Sequence, residues 1–365
     1  MNTRIDHLLK QMNQRQIDSA LITSKANIYY FSNYLTDPHE RLVAIFVDQK
    51  GHALLILPEM EEKDAMAAGW SEDILSYNDD TDPWVLLKNY VEQTGHVPES
   101  MAVEKDNLSL TRGEIVAQSF PNSEIKDATD LLNQLRVQKD QKEFQLLKQA
   151  AQLADFGVKT GIKAIEEGKS EMEIVAEIEY ALKREGVSEM SFSTLVLAGD
   201  KTSSPHGNPG KQKVEPGNFV LFDLGVVYEG YCSDITRTVA YKHASAEQEK
   251  IYNTVLKAEK AAIDACEIGR PVGDIDKTAR HLIDQAGYGK YFMHRIGHGL
   301  GIDVHEHPSM SGNNTLPLKE GMCFTIEPGI YIPEVGGVRI EDDIFMTEKG
   351  PEILTSYPKD LQIIG

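Results

Sequence analysis

Cysteine is scarce in this chain: Cys232, Cys266 and Cys323 are the three in 365 residues, and no two form a Cys-x-x-Cys pair. That number and scatter exclude a disulfide framework and a thiolate zinc site, and suit a reducing cytoplasm in which the three serve as small core filler. Long apolar runs are missing as well. The longest, such as LVAIFV at 42–47, are about a quarter of the roughly 20 residues needed to cross a bilayer. The amino-terminal MNTRIDHLLKQMNQRQ interrupts its apolar residues with charges and amides. It lacks the apolar centre of a secretory signal and reads as an amphipathic helix over 2–16. Low-complexity tracts and Gly/Ser or Pro linkers are absent, which leaves no extended disordered segment. Positive charge is in deficit: 37 Lys and Arg face 57 Asp and Glu, a net charge of −20. Such a surface repels phosphate backbones and anionic membranes, so neither nucleic acid nor a membrane is expected as a partner.

What is present is a chain longer than one hydrophobic core usually serves, with ordinary globular composition, so two domains are expected. Over 1–130 the apolar pattern alternates between strand-like runs (DSALITS, RLVAIFVD, HALLILP, ILSYN, MAVEK) and helical ones at 59–68, 84–93 and 111–119. This predicts an α/β domain with a mixed sheet. From 131 to 365 the pattern predicts a long helix over LRVQKDQKEFQLLKQAAQLADFGVKTGIKAI, a helix near 171–185, and helices near 246–266 and 272–286. The last two separate a pair of similar strand-rich segments. The second domain therefore reads as a duplicated α+β unit about a pseudo-twofold axis, and the chain as α+β overall.

The paired segments carry the chemistry. In EPGNFVLFDLG, Asp223 stands six residues after Gly217 and two before Gly225; in KEGMCFTIEPG, Glu327 stands six after Gly321 and two before Gly329. The first continues through GYCSDITRTVAY to Asp234 and the second through GGVRIEDDIFMT to Glu341, so each half offers a hairpin with two acids. Like charges about 4 Å apart repel by roughly 4 kcal/mol at an effective dielectric near 20, so four converging acids need cations. Arg339 and Glu341 alternate onto one face of a strand, where the arginine either orients the acid or makes a plain ion pair. FMHRIGHGLGIDVHEHP adds His294, His298, His305 and His307, with glycines at 297, 299 and 301 that argue against a regular helix. Glycine-flanked His298 is the chosen imidazole ligand. One histidine with four carboxylates is an oxygen-rich set suited to manganese, cobalt or zinc, and ample for two ions. Two such ions activate water for hydrolysis.

These residues resemble the metallopeptidases of pita-bread fold, the family of methionine aminopeptidase, aminopeptidase P, creatinase and prolidase. PHG at 205–207, DLG with GYCSDITRT, HRIGHGLGIDVHE, TIEPG and GVRIEDD stand in the family's order across nearly the whole chain. The resemblance implies a creatinase-like amino-terminal domain and a pita-bread catalytic domain. It implies that Asp223 chelates one metal, that His298 and Glu327 bind the other, and that Asp234 and Glu341 bridge the pair around a hydroxide. By the same resemblance Glu327 is general base and proton shuttle, His305 steadies the oxyanion, and His206 and His294 line the substrate cleft.

The amino-terminal domain sets methionine aminopeptidase aside. The loop LTDPHERL at 35–42 and the arginine in HRIGH resemble the bacterial Xaa-Pro dipeptidases, in which that loop is thought to reach the partner subunit's active site. A homodimer is therefore expected. A dipeptide carries its free carboxylate one residue beyond the scissile bond, where Arg295 is the expected grip and His39 and Arg41 either help close the pocket or are simply solvated. Aminopeptidase P, acting on longer peptides, is the alternative activity, and a metal-free peptide-binding platform the alternative class.

Overall fold

The computed structural model describes residues 3–95 and 97–365. It divides into two compact units, Met1–Arg136 and Val137–Gly365.

The first unit is built on a six-stranded mixed sheet in the order 73–77, 53–58, 44–48, 19–22, 100–103, 124–127. The central strands Ser19–Ile22, Ala44–Asp48 and Ala53–Pro58 pair antiparallel and are buried at every position, which is why they read as unbroken apolar runs. The outer pairings, 53–58 with 73–77 and 19–22 with 100–103 and on to 124–127, are parallel, and helices supply the crossovers. The amino-terminal helix is Thr3–Gln14; residue 2, included in the expected span, lies outside the described residues.

One helix escapes the sequence pattern. Lys25–Ser32 buries Ala26, Asn27, Ile28, Tyr30, Phe31 and Ser32, so it has no polar stripe to mark a 3.6-residue period. Its start is fixed from a distance: the Glu104 carboxylate accepts from the backbone N–H of Ser24 at 2.8 Å and the Asn27 amide at 2.6 Å, while Ser24 caps Asn27.

The second unit repeats one plan. Helices Gln141–Lys163 and Glu171–Arg184 pack on a four-stranded sheet whose core strands are Leu195–Ala198, Phe219–Leu224 and Ile235–Tyr241. Helices Ala246–Asp264 and Val272–Gln285 pack on a five-stranded sheet centred on Cys323–Ile326 and Asp342–Thr347. Three of the four helices open on a capping box, Asp140 with Glu143, Ser170 with Glu173 and Ser245 with Gln248. This is the expected creatinase-like α/β unit followed by a two-part pita-bread unit. All three cysteines are buried and free, and burial pushes the Cys232 and Cys266 thiols up to about 12.

Among the described residues no helix is long and apolar enough to cross a membrane.

Candidate metal centre

The four acids come together through strand register. Asp223 lies on Phe219–Leu224 directly opposite Thr236, and Asp234 immediately precedes the strand that carries Thr236. Between them the chain makes a small hairpin, with Tyr228 paired to Tyr231 and both Glu229 and Gly230 at positive φ, the geometry of a two-residue turn. Gly225 is obligatory there, since a Cβ would sit 1.8 Å from the Ser233 carbonyl oxygen just before Asp234. In the other half Glu327 follows Cys323–Ile326, and Gly299 pairs with Phe324 of that strand, which brings His298 alongside. A Cβ on Gly297 would lie 2.0 Å from the Thr325 carbonyl oxygen, so the glycine is what lets the histidine strand press this close.

Glu341 departs from its expected setting. It does not share a strand with Arg339: Gly336–Arg339 ends before it and Asp342–Thr347 begins after it. In that break the Glu341 N–H donates to the Thr236 carbonyl at 3.1 Å, so the carboxylate of the second half is held against a strand of the first. Arg339 bonds directly to Asp223, and its Nε donates to Thr236 Oγ1 at 2.9 Å. Thr236 Oγ1 in turn donates to Glu341 Oε2 at 2.6 Å, so Arg339 reaches Glu341 through Thr236.

Asp234, His298 and Glu341 each offer a ligand atom within 4.8 Å of the others. His298 Nε2 stands 3.7 Å from Asp234 Oδ2 and 3.6 Å from Glu327 Oε1. Its Nδ1 donates to the Gly299 carbonyl at 3.1 Å, which leaves the Nε2 lone pair facing the acids. Burial, together with the charges of Glu341, Asp223, Asp343 and Glu327, raises Asp234 well above the usual carboxylate range. Burial and the Glu327 and Asp223 charges do the same to Glu341, and Glu327 is pushed up to about 7, chiefly by burial. Burial drives His298 down to about 3, so the imidazole is neutral. Asp234 Oδ1 is buried with no hydrogen-bond partner among the described residues. Crowded acids, an unprotonated ring nitrogen and an orphaned oxygen are a donor set that fits divalent cations.

A pH dependence follows for metal-free protein. Below the ordinary histidine value of 6.5, protons taken up by the unfolded form at His294 and His298 oppose those held by the folded acids. Above it only the acids remain, and they bind more protons folded than unfolded. Stability of the metal-free protein should therefore fall as pH rises above about 6.5 through the Glu327 value of about 7, and divalent metal should flatten the decline. Urea unfolding across that range checks it; stability rising with pH without metal would contradict the crowding of acids.

The acids open on a cavity of about 420 Å³, also lined by His206, His294, Arg295 and His305 and by the apolar Phe192, Leu195, Pro205 and Val304. The His305 ring meets His298 edge-on at 4.1 Å between centroids, and burial lowers its pKa. His294 gives both nitrogens to the protein: Nδ1 donates to the Arg295 carbonyl at 2.8 Å, and Nε2, 2.9 Å from the Tyr331 hydroxyl, accepts from it. Tyr331 accepts in turn from Arg339 at 3.1 Å. Burial holds His294 down to about 4. Arg295 is exposed at the cavity, with Nη1 donating to Ser309 Oγ at 3.1 Å. His39 and Arg41 belong to the first unit, where Arg41 Nε binds Asp79 at 2.9 Å and His39 is exposed at φ 55°.

Thr236, Tyr331 and Thr325, whose Oγ1 accepts from the His298 N–H at 3.2 Å, are the polar partners that motif reading passed over. Counting the register back from the Glu229–Gly230 turn would have approached Thr236; Tyr331 and Thr325 carry no local mark.

A creatinase-type α/β unit followed by a two-part catalytic unit with this acid and histidine set defines a metallopeptidase. Residues 145–348 match metallopeptidase family M24 and residues 4–138 match the creatinase/prolidase N-terminal domain, and the chain belongs to that family. It is 50% identical to the putative dipeptidase YkvY of Bacillus subtilis (strain 168), over 99% of each chain. Among solved structures, the Xaa-Pro dipeptidase from Bacillus anthracis superposes with a TM-score of 0.93 at 32% identity, covering 99% of both chains. The X-Pro aminopeptidase from Thermotoga maritima MSB8 superposes with a TM-score of 0.87 at 30% identity, covering 97% of this chain and 100% of that one.

Proposed function

We propose that this metallopeptidase is an Xaa-Pro dipeptidase, hydrolysing the bond before a carboxy-terminal proline. One observation carries the reading: the acids and His298 converge on a cavity that also presents the Arg295 guanidinium, so hydrolytic machinery and a carboxylate grip share one small space. Asp223, Asp234, His298, Glu327 and Glu341 would hold two divalent ions, manganese by preference and cobalt or zinc otherwise. When bound, such ions lower the pKa of water and stabilise developing negative charge on the carbonyl oxygen.

The protein's own groups do the rest. Glu327 accepts the proton of the attacking water and delivers it to the leaving imide nitrogen, which cannot depart unprotonated. His305 donates to the oxyanion, and His206 lines the substrate cleft. A proline nitrogen has no hydrogen to offer, so its recognition falls to shape and apolar contact with walls such as Phe192, Leu195, Pro205 and Val304. Arg295 binds the terminal carboxylate, held by Ser309 in the orientation this needs. A cytoplasmic homodimer, in which His39 and Arg41 of the loop 35–42 serve the other copy's cavity, completes the reading.

Aminopeptidase P activity is the second reading, favoured by the likeness to the Thermotoga enzyme. The two separate in a panel of dipeptides such as Leu-Pro and matching Xaa-Pro tripeptides, titrated with manganese. Robust release of the first residue from the tripeptides overturns the dipeptidase assignment. A purified protein with no stoichiometric metal, and no hydrolysis on adding manganese, would make it a binding platform instead.

Arg295→Ala should raise KM for dipeptides roughly 10-fold or more and leave carboxy-amidated dipeptides nearly unaffected, as expected when a charge-assisted bond to one group is lost. Equal losses on both would remove the carboxylate role.

A further inference from the structure

His206 reaches the cavity from a segment with little architecture of its own. Residues 199–210 run from a short 3₁₀ turn, Gly199–Ser203, through irregular backbone, whereas the metal-facing walls are strands and their ends. Within it Ser204, Pro205, His206 and Gly207 form a tight turn, with the Gly207 N–H donating to the Ser204 carbonyl at 3.0 Å and proline in the second position it favours. Thr202 is the one fully buried side chain of the stretch; its hydroxyl accepts from the Gly337 N–H at 2.7 Å.

Both ends of this segment are tied to one carboxylate. Glu171, fully buried in the first turn of Glu171–Arg184, accepts from the Ala198 N–H at 2.9 Å on one oxygen and from the Gly210 N–H at 2.8 Å on the other. The second oxygen also takes the Lys201 ammonium, which donates on to the Asn208 carbonyl at 2.9 Å. The helix start around it adds the Met172 N–H, which donates to the Gly210 carbonyl at 3.2 Å. Every donor on Glu171 belongs to the span that carries His206. A buried carboxylate bonded by three N–H groups has fixed geometry, because each donor would be left without a partner if it moved.

We propose that Glu171 is the positioning residue for His206: it closes 198–210 into a loop of fixed height and so sets where the imidazole meets the substrate. The proposal rests on the reading that His206 faces substrate, and it adds a group far from the chemistry to the determinants of turnover. Lys201 shares the task by joining the carboxylate to the middle of the loop.

A double-mutant cycle with Glu171→Gln and His206→Ala tests it. Glutamine turns an amide N–H₂ toward donors, so one end of the loop is released while the helix and the metal-facing strands are untouched. Glu171→Gln should lower kcat/KM for a cleaved dipeptide by roughly 10- to 100-fold, the scale on which about 1 Å of misplacement acts. Manganese content per chain should stay at the wild-type level. On the His206→Ala background the same substitution should cost within about 2-fold, because the group it positions is gone. A loss that persists in full on that background, no loss in either, or a parallel fall in metal content would each overturn the proposal. A second measurement needs no substrate: in histidine-labelled protein, the imidazole resonance that disappears in His206→Ala should shift in Glu171→Gln while those of His281 and His52, distant in sequence and on other elements, stay in place. An unmoved His206 signal refutes the link even if dipeptides are cleaved, whereas a protein inert to Xaa-Pro dipeptides with a shifted signal refutes only the substrate reading.

Discussion

Asp234→Ala should leave a protein that folds but no longer retains its metal, with turnover reduced by about 1,000-fold or more, the scale of losing a group that anchors the catalytic charge. Asp234 is the member of the cluster on which burial and the charges of Glu341, Asp223, Asp343 and Glu327 all bear: it supplies an oxygen beside both His298 and Glu341, and its second oxygen has no partner among the described residues. Removing it takes away repulsion as well as a ligand. Metal-free Asp234→Ala should therefore be at least as stable as metal-free wild type. Wild-type protein should gain about 2.7 kcal/mol when metal is present at 100 times its dissociation constant, and the variant should gain almost nothing. Metal content and unfolding midpoints, each with and without manganese, read both halves. Two bound ions and near-normal turnover in the variant would remove Asp234 from the centre; a marked loss of metal-free stability would mean that its role is in the fold.

The parts of this site that could be anticipated are those whose cause lies within a dozen residues. Gly217 and Gly321 take positive φ at the turns that open the two acid-bearing strands, so glycine, apolar strand and acid recur at the same spacing for one physical reason. Gly225 and Gly297 are required by close backbone approach, and each stands beside a segment carrying a ligand candidate. The helices with capping boxes and polar stripes were equally visible.

What escaped was made by contacts across the chain. Lys25–Ser32 looks like a strand because Ile28, Tyr29, Tyr30 and Phe31 favour one, and its helical start depends on Glu104, some eighty residues away. Alternation put Arg339 and Glu341 on one strand face, but the Glu341 N–H is drawn to the Thr236 carbonyl, the strand breaks, and the arginine turns to Asp223. Glu171 reads as one more acid in a helix's first turn, and only the folded loop discloses what it binds.

Arg237→Met should destabilise the protein by about 3–5 kcal/mol, the cost of stranding a buried charge. Arg237 is 1% exposed on a strand whose seven residues are all buried, and its Nη2 donates to Asp342 Oδ1 at 2.7 Å. It also holds the carbonyls of Thr236 and Tyr357, at 2.9 and 2.7 Å, and that of Glu341. Asp342 accepts from Lys359 at 2.6 Å, and Lys359 from there reaches Glu259 at 2.7 Å. Burial alone would raise Asp342, but the Arg237 and Lys359 charges outweigh it and hold the carboxyl well below the usual range. A depressed acid stabilises the fold above its ordinary value of 3.8 and loses that contribution as pH falls through its folded value. The gap between wild type and Arg237→Met should therefore be full at neutral pH and narrow as pH falls below 3.8, where protonation removes the carboxylate's share of the pair. Adding Asp342→Leu should recover much of the loss, because an apolar pair replaces an ion pair at far less cost than an unpaired charge. Metal binding should return with the fold: Arg237 also donates to the Glu341 carbonyl, a bond the double variant lacks, yet the Glu341 carboxylate itself is held by Thr236. A double variant that regains stability but binds metal weakly would mean that the Arg237 bond to the Glu341 carbonyl sets the position of that backbone, and that Thr236 alone does not.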